Sequence, residues 1–147
     1  MYSQIKSGTL YGLTSEQVVV ETDLSSGLPA FNVVGLPDAT VRESKERIRA
    51  AIINSGFKFP AKRITINLAP AGTRKEGTHF DLPIAVGIMK SFGLIREGCT
   101  ERFAFLGELS LDGGINRING ALPLVIGLRK QGIEKIILPE AIRLQFS

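Results

Sequence analysis

Short runs rich in β-branched residues alternate with helix-period segments along this chain, and nearly every switch is marked by Gly, Pro or Asp. That alternation constrains the fold most, because strand and helix patterns bury different faces and must be layered on each other. The expected class is α/β (α+β), a mixed sheet with helices packed on at least one face. Ile5–Tyr11 supplies a first strand. Gln17–Leu24 and Leu28–Val34, split by Ser25-Ser26-Gly27, read as a hairpin. Asp38 is placed to cap a helix over Ala39–Ser55 that Gly56 stops. Its apolar or small residues Val41, Ser44, Ile48, Ala51, Ile52 and Ser55 share one face. Arg63–Leu68 alternates as a strand, and Ala69–Gly77 is a loop. Asp81 opens a second helix reaching about Phe92; Pro83 is tolerated in its first turn, and its apolar circumference predicts burial. Phe103–Leu109 is a strand, and Leu111–Ile115 turns into a short strand ending near Ile118. Gly120–Gln131 is a third helix stopped by Gly132, and Glu134–Pro139 closes the sheet. Residues 140–147 begin a further element. There is no internal repeat and no linker, so one domain covers residues 1–147.

A chain of 147 residues with 44% hydrophobic content can bury a core without staples. Its single cysteine, Cys99, excludes a disulfide framework and suits a reducing, cytoplasmic setting. The start, Met1–Lys6, has no long apolar run after its charge, against a secretory signal, and no stretch is apolar enough for a membrane span. The formal charge of +4 permits contact with a polyanion without requiring it. With no Trp and few aromatics, recognition of single strands by base stacking has little material.

Several chemistries lack their parts. A phosphate-cradling loop needs Gly-x-x-x-x-Gly-Lys-Ser/Thr, so that amides, lysine and hydroxyl converge on phosphate and Mg²⁺. Gly72–Gly77 has the glycine gap, but Thr78 stands where the lysine should be. The dinucleotide motif Gly-x-Gly-x-x-Gly is also absent. The lone histidine, His79, has no carboxylate at i+3 or i+4, so no metal site is expected. Cys99 has no histidine near it in sequence and reads as a small, partly buried side chain.

Four segments in order carry a family pattern: Phe31–Asp38, Arg47–Gly56, Lys75–Ala85 and Gly107–Gly113. Together they resemble the N-terminal domain of the ComM/YifB family of magnesium-chelatase-like AAA+ ATPases. The resemblance runs nearly end to end. It implies a fold of the ribosomal protein S5 domain 2-like class, similar to the proteolytic domain of Lon and the Lon-like domain of RadA. It also implies an ATPase core beyond residue 147, using ATP and Mg²⁺, with no cofactor in this segment. The family is associated with a hexameric motor acting on branched DNA in natural transformation. Its own ATPase core, DNA and further copies are therefore the implied partners, with no membrane.

A Lon-type site pairs a serine nucleophile with a lysine base, because a hydroxyl is a poor nucleophile until a neutral amine takes its proton. The resemblance puts His79 at the serine position and Leu122 at the lysine position, so neither member of the dyad is present. The leading expectation is a non-catalytic assembly or nucleic-acid-contact module. Its contact candidates are Arg42, Lys45, Arg49, Lys62, Arg63, Arg74 and Lys75. The bland alternatives are a solvated face on the first helix with pairs Arg42–Glu46 and Glu43–Arg47, a strand-edge guard at Lys62 and Arg63, and a solvated loop at Arg74 and Lys75. Two other functions stay open: a peptidase using Thr78 or Ser110, and a metal chelatase subunit. The last rests on kinship of the ATPase core, which does not transfer a reaction.

Overall fold

The computed structural model describes residues 1–138; the element expected over residues 140–147 lies outside them. Strands β1 (Tyr2–Tyr11), β2 (Thr14–Ser25) and β3 (Ala30–Val34) precede helix α1 (Asp38–Asn54). Then follow β4 (Arg63–Ala69), α2 (Asp81–Ser91), β5 (Phe103–Phe105), β6 (Glu108–Leu109), β7 (Ile115–Asn116), α3 (Ala121–Lys130) and β8 (Lys135–Ile137). Six strands form one mixed sheet in the order β3-β4-β2-β1-β5-β8, and β6 and β7 form a small antiparallel ribbon. The α+β class and the mixed sheet with packed helices are as the sequence implies.

The hairpin is not where composition put it. β2 and β3 do not pair; β4 inserts between them, antiparallel to β2 and parallel to β3. The hairpin is β1–β2, closed by Tyr11 opposite Thr14 across Gly12 and Leu13. A Ser/Gly turn marks a chain reversal but does not say which strand fills the gap. The Phe103–Leu109 strand is also split. Gly107 leaves the sheet to pair with the start of α2, donating to the His79 carbonyl (2.9 Å) and accepting from the Leu82 amide (3.0 Å).

α1 and α2 cover one face of the sheet. Ile5, Val18, Val20, Leu24, Ile64, Ile66 and Leu68 point into that layer at alternate positions and meet Ile48, Ile52, Ile84 and Ile88. α3 packs on the opposite face, where Leu124, Val125 and Leu128 join Ala104, Leu106 and Ile133 in a second, smaller core. Glycine allows both close approaches. A side chain at Gly87 of α2 would overlap the Thr22 hydroxyl, and one at Gly127 of α3 would overlap the Ser15 side chain. These two contacts expose a local likeness too short for a search for repeats: Asp81–Ile88 and Ala121–Leu128 both read x-Leu-Pro-x-x-x-Gly-x.

The three helices stop alike. In each, a left-handed glycine (Gly56, Gly93 or Gly132) donates to the carbonyl three residues back, and the following amide reaches five back. Orphan carbonyls of the last turn are thereby satisfied. The starts differ from expectation. Asp38 is the first helical residue, with Pro37 as the cap, and its side chain makes no capping bond; its charge still suits the positive end of the helix dipole.

Candidate functional site

The two residues that the resemblance assigns to a Lon-type dyad begin α2 and α3. His79 precedes α2, where the chain turns inward to pair with Gly107. It is 8% exposed, lies against the Phe80 ring with centroids 4.2 Å apart, and its Nε2 is 2.8 Å from the Gly8 carbonyl oxygen. That oxygen can only accept, so Nε2 carries the proton. Burial pushes the His79 pKa below its ordinary value, outweighing the opposing pull of the Gly8 carbonyl and Asp81. Leu122 sits in the first turn of α3 and is 43% exposed. One position is a sealed imidazole and the other a solvent-facing aliphatic chain.

One lysine does meet a hydroxyl. Lys90 Nζ donates to Thr100 Oγ1 (2.9 Å), with both residues buried. The same ammonium is ion-paired with Glu101 at 3.0 Å, and its bond holds the Glu101 carboxyl below the usual range. The Lys90 ammonium is thus shared between a carboxylate and the hydroxyl it bonds, an arrangement that holds a loop. Glu101 also accepts from the Gly98 and Thr100 amides, so the group ties the loop after α2. Ser110, the other proposed nucleophile, donates to Asp112 and the Gly114 carbonyl in the β6–β7 turn. Thr78 is half-buried. Cys99 is exposed, not partly buried as its sequence context suggests.

The β4–α2 loop corrects a second reading. Lys75 is not a solvated contact residue: it is 5% exposed, and its Nζ donates to the carbonyls of Pro70 (2.5 Å) and Thr73 (2.6 Å). Desolvation lowers its pKa, partly opposed by Glu16. A phosphate-binding loop turns amides inward around an anion. This one turns carbonyls inward around its own cation, so the residues present do not fit a nucleotide phosphate.

The remaining basic candidates lie in separate places. On α1, Lys45 Nζ donates to the Phe31 carbonyl (3.0 Å) and Arg49 stacks over Phe59 at 4.6 Å, with Phe31 and Phe59 themselves in contact. Arg42 is exposed on the same helix. Lys62 accepts the Ala30 amide through its carbonyl. Arg63 is exposed on the far face of the sheet from α1, since its neighbours Ile64 and Ile66 face the helices. β4 is an interior strand, so Lys62 and Arg63 do not guard an edge. Arg74 is exposed, 5.9 Å over the Tyr11 ring and 3.5 Å from Glu76.

The model of the family described as subunit ChlI of Mg-chelatase matches residues 20–142. The chain belongs to this ChlI family. It is 44% identical over 126 residues to competence protein ComM of Haemophilus influenzae, covering 86% of this chain and 25% of that protein. It is 42% identical over 127 residues to the uncharacterized protein YifB of Escherichia coli, covering 86% of this chain and 25% of that one. The chain thus spans a quarter of the length of these relatives, as an N-terminal domain of the ComM/YifB kind would. A Lon protease of Treponema pallidum is 26% identical over 149 residues, which is 92% of this chain and 17% of that protein.

In this ChlI-family domain the best-organised charge was missed in the sequence. Arg47 was expected to pair with Glu43 along the helix; instead its Nε and Nη2 grip both oxygens of Asp81, at 2.6 and 3.2 Å. Asp81 is 0% exposed and also accepts the Leu109 amide at 3.1 Å. The Asp81 bond, above all, raises the Arg47 pKa over its ordinary value, helped by Glu108 and Glu43. One carboxylate therefore locks α1, α2 and β6 together. The signal was an Asp opening an otherwise apolar, buried helix, because a buried carboxylate requires a partner. Among the described residues no helix is long and apolar enough to cross a membrane.

Proposed function

We propose that this chain is a non-catalytic accessory domain of a magnesium-chelatase-like AAA+ ATPase, serving ring assembly and contact with DNA or a partner. One observation carries the reading. A hydroxyl–amine couple needs two groups facing one cleft, whereas His79 is spent on the Gly8 carbonyl and Leu122 faces solvent. ATP and Mg²⁺ would act in the motor core of the longer protein, with hexamer formation there and a cytoplasmic location. The competence name of the ComM relative favours DNA as the polymer acted on. The accessible contact residues are Arg42, Arg49, Arg63 and Arg74, assisted by Lys62; Lys45 and Lys75 are engaged internally.

The test has two arms. The protein should leave casein and peptides uncleaved and resist serine-directed labelling. Anisotropy with labelled branched DNA should show binding that falls steeply with salt and weakens when Arg42, Arg63 and Arg74 become Gln. Cleavage at an identified Ser or Thr would end the non-catalytic reading; unchanged DNA affinity in the triple variant would end the contact role of these residues.

A further inference from the structure

Asn119 is followed by glycine, whereas the other asparagines of this chain precede Val33, Ser55, Leu68 and Arg117. An asparagine loses its side-chain amide to its own backbone when the next peptide nitrogen reaches its side-chain carbonyl carbon. A Cβ on that next residue hinders the approach, and Gly120 has none. Both residues are exposed in the turn between β7 and α3, where Gly120, at a left-handed φ of 72°, forms the cap of α3. Among the described residues, neither the Asn119 side chain nor the Gly120 N–H has a hydrogen-bond partner. None of these residues holds the nitrogen away from the carbon it would attack.

Comparable places in the chain are tied down. Asn54 Nδ2 donates to the Leu111 carbonyl (2.8 Å), and the next N–H, that of Ser55, donates to the Ala51 carbonyl (3.0 Å). Asn67 and Asn116 donate to the carboxylates of Glu21 and Glu108. Asp112-Gly113 could close the same ring through its carboxyl, but the Gly113 N–H is bonded to the Ser110 carbonyl (3.0 Å). The Asp112 carboxylate accepts from the Ser110 hydroxyl and the Gly114 N–H. Those bonds hold its pKa below the usual range, and an ionised carboxylate is a poor target for a nucleophile.

We propose that Asn119-Gly120 is a site of spontaneous deamidation that loosens the start of α3 as the protein ages. The Gly120 nitrogen bonds to Asn119 Cγ, the Cγ–Nδ2 bond breaks, and ammonia leaves with the proton lost from the Gly120 nitrogen. Water then opens the succinimide. Addition at Cγ gives aspartate; addition at the main-chain carbonyl gives isoaspartate, in which the chain runs through Cβ and Cγ. In sum, one amide and one water become one carboxylic acid and one ammonia. The two products act differently. Aspartate keeps the backbone length and sets a negative charge at the positive end of α3. Isoaspartate adds one backbone carbon between Ile118, which packs on the second core, and Gly120, whose carbonyl accepts the Leu124 amide. Gly120 has little room to shift, since even a methyl there would press on Leu10.

Incubation of the folded protein at mildly alkaline pH, followed by peptide mapping in a mass spectrometer, should show the amide of Asn119 lost first, and faster as hydroxide rises. The isoaspartyl share is read as methyl transfer from S-adenosylmethionine, with an isoaspartyl methyltransferase as reagent. Folded and urea-unfolded protein should lose the Asn119 amide at similar rates, while loss at Asn54 should need urea. Hydrogen exchange of the α3 amides should quicken in the aged protein. It should stay at the fresh level in fresh Asn119→Asp, and in aged Asn119→Gln, whose longer side chain must close a larger ring. A folded chain that keeps the Asn119 amide while the unfolded chain loses it would overturn the site, as would loss at Asn54 keeping pace in the folded chain. Unchanged α3 exchange in the isoaspartyl fraction, or fresh Asn119→Asp exchanging as fast as aged protein, would overturn the loosening of α3.

Discussion

α2 and α3 share a sequence pattern and a strand, yet the protein treats them differently. Both open with Leu-Pro in the first turn, and both press a glycine onto β2, α2 on Thr22 and α3 on Ser15 from the other face. α2 is buried on most sides and anchored by Asp81 to α1 and β6. α3 opens with Ala121 after a left-handed Gly120, without a side-chain cap, and leaves Leu122 and Ile126 in solvent. One residue at the helix start, Asp against Ala, separates an interior helix from a covering one. A charge at the first position recruits Arg47, and the pair fixes a neighbouring layer that α3 never acquires.

The largest effect should come from removing that anchor. Asp81→Ala leaves Arg47 uncompensated and the Leu109 amide unpaired, and should destabilise by about 3 kcal/mol. Part of the guanidinium reaches solvent, which places the loss at the low end for a broken buried pair. Urea unfolding measures it; a loss below about 1 kcal/mol would mean that α2 and α3 differ for some other reason.

The glycine contacts come next. A methyl at Gly127 would overlap both Cβ and Oγ of Ser15, so no rotation of Ser15 relieves it. Gly127→Ala should therefore cost about 2 kcal/mol, even after the gain in helix propensity. At Gly87 the overlap is with Thr22 Oγ1, the next Thr22 atom lying 3.5 Å away. That hydroxyl is buried without a partner. Gly87→Ala should cost about 1 kcal/mol, and adding Thr22→Ala should recover most of it. Thermal melts of Gly87→Ala, Thr22→Ala and the double variant, beside the wild type, decide whether rescue works on α2.

Much of this was legible in the sequence. Periodicity located all three helices, and Gly56 and Gly132 gave two of the three ends. Gly93 escaped notice because the apolar run into Phe92 offers no change of pattern. Strand pairing was not legible: inserting β4 between β2 and β3 depends on helix α1 crossing the sheet, a tertiary fact. Of the site, the resemblance assigned His79 and Leu122 by motif register, and the structure adds what surrounds them. That Lys75 turns inward was not legible, since lysine chemistry says nothing of where a loop's carbonyls converge. Arg47 was mispaired because the neighbour at i+4 competes on paper with a carboxylate 34 residues away.

His79 should add a pH dependence that α3 lacks. Its folded-state pKa lies below the ordinary 6.5, so the unfolded chain binds the proton more readily. Stability is then full above that value and declines as pH falls below it. The carboxyls of Glu21, Glu101 and Asp112 are also lowered, but from ordinary values of 4.5, 4.5 and 3.8, so their losses begin at lower pH. Urea midpoints compared between about pH 8 and pH 5.5 should fall for the wild type and stay flatter for His79→Gln. An equal slope in both would remove His79 as the cause.

Leu122→Lys should have the smallest effect, and it tests against each other the two positions that the resemblance assigns to a dyad. The side chain is largely in water, and lysine and leucine have similar helix propensities. A cation at a helix N-terminus is mildly unfavourable, so the change should stay within about 0.5 kcal/mol. His79→Ser, by contrast, removes a ring packed on Phe80 and a bond to Gly8, and should cost about 2 kcal/mol. If the positions faced a common cleft, both substitutions would be tolerated alike and the double variant would cleave peptides. A lysine at one and a serine sealed at the other should cleave nothing, because the hydroxyl would lie in the layer beneath α2 while the amine extends into solvent.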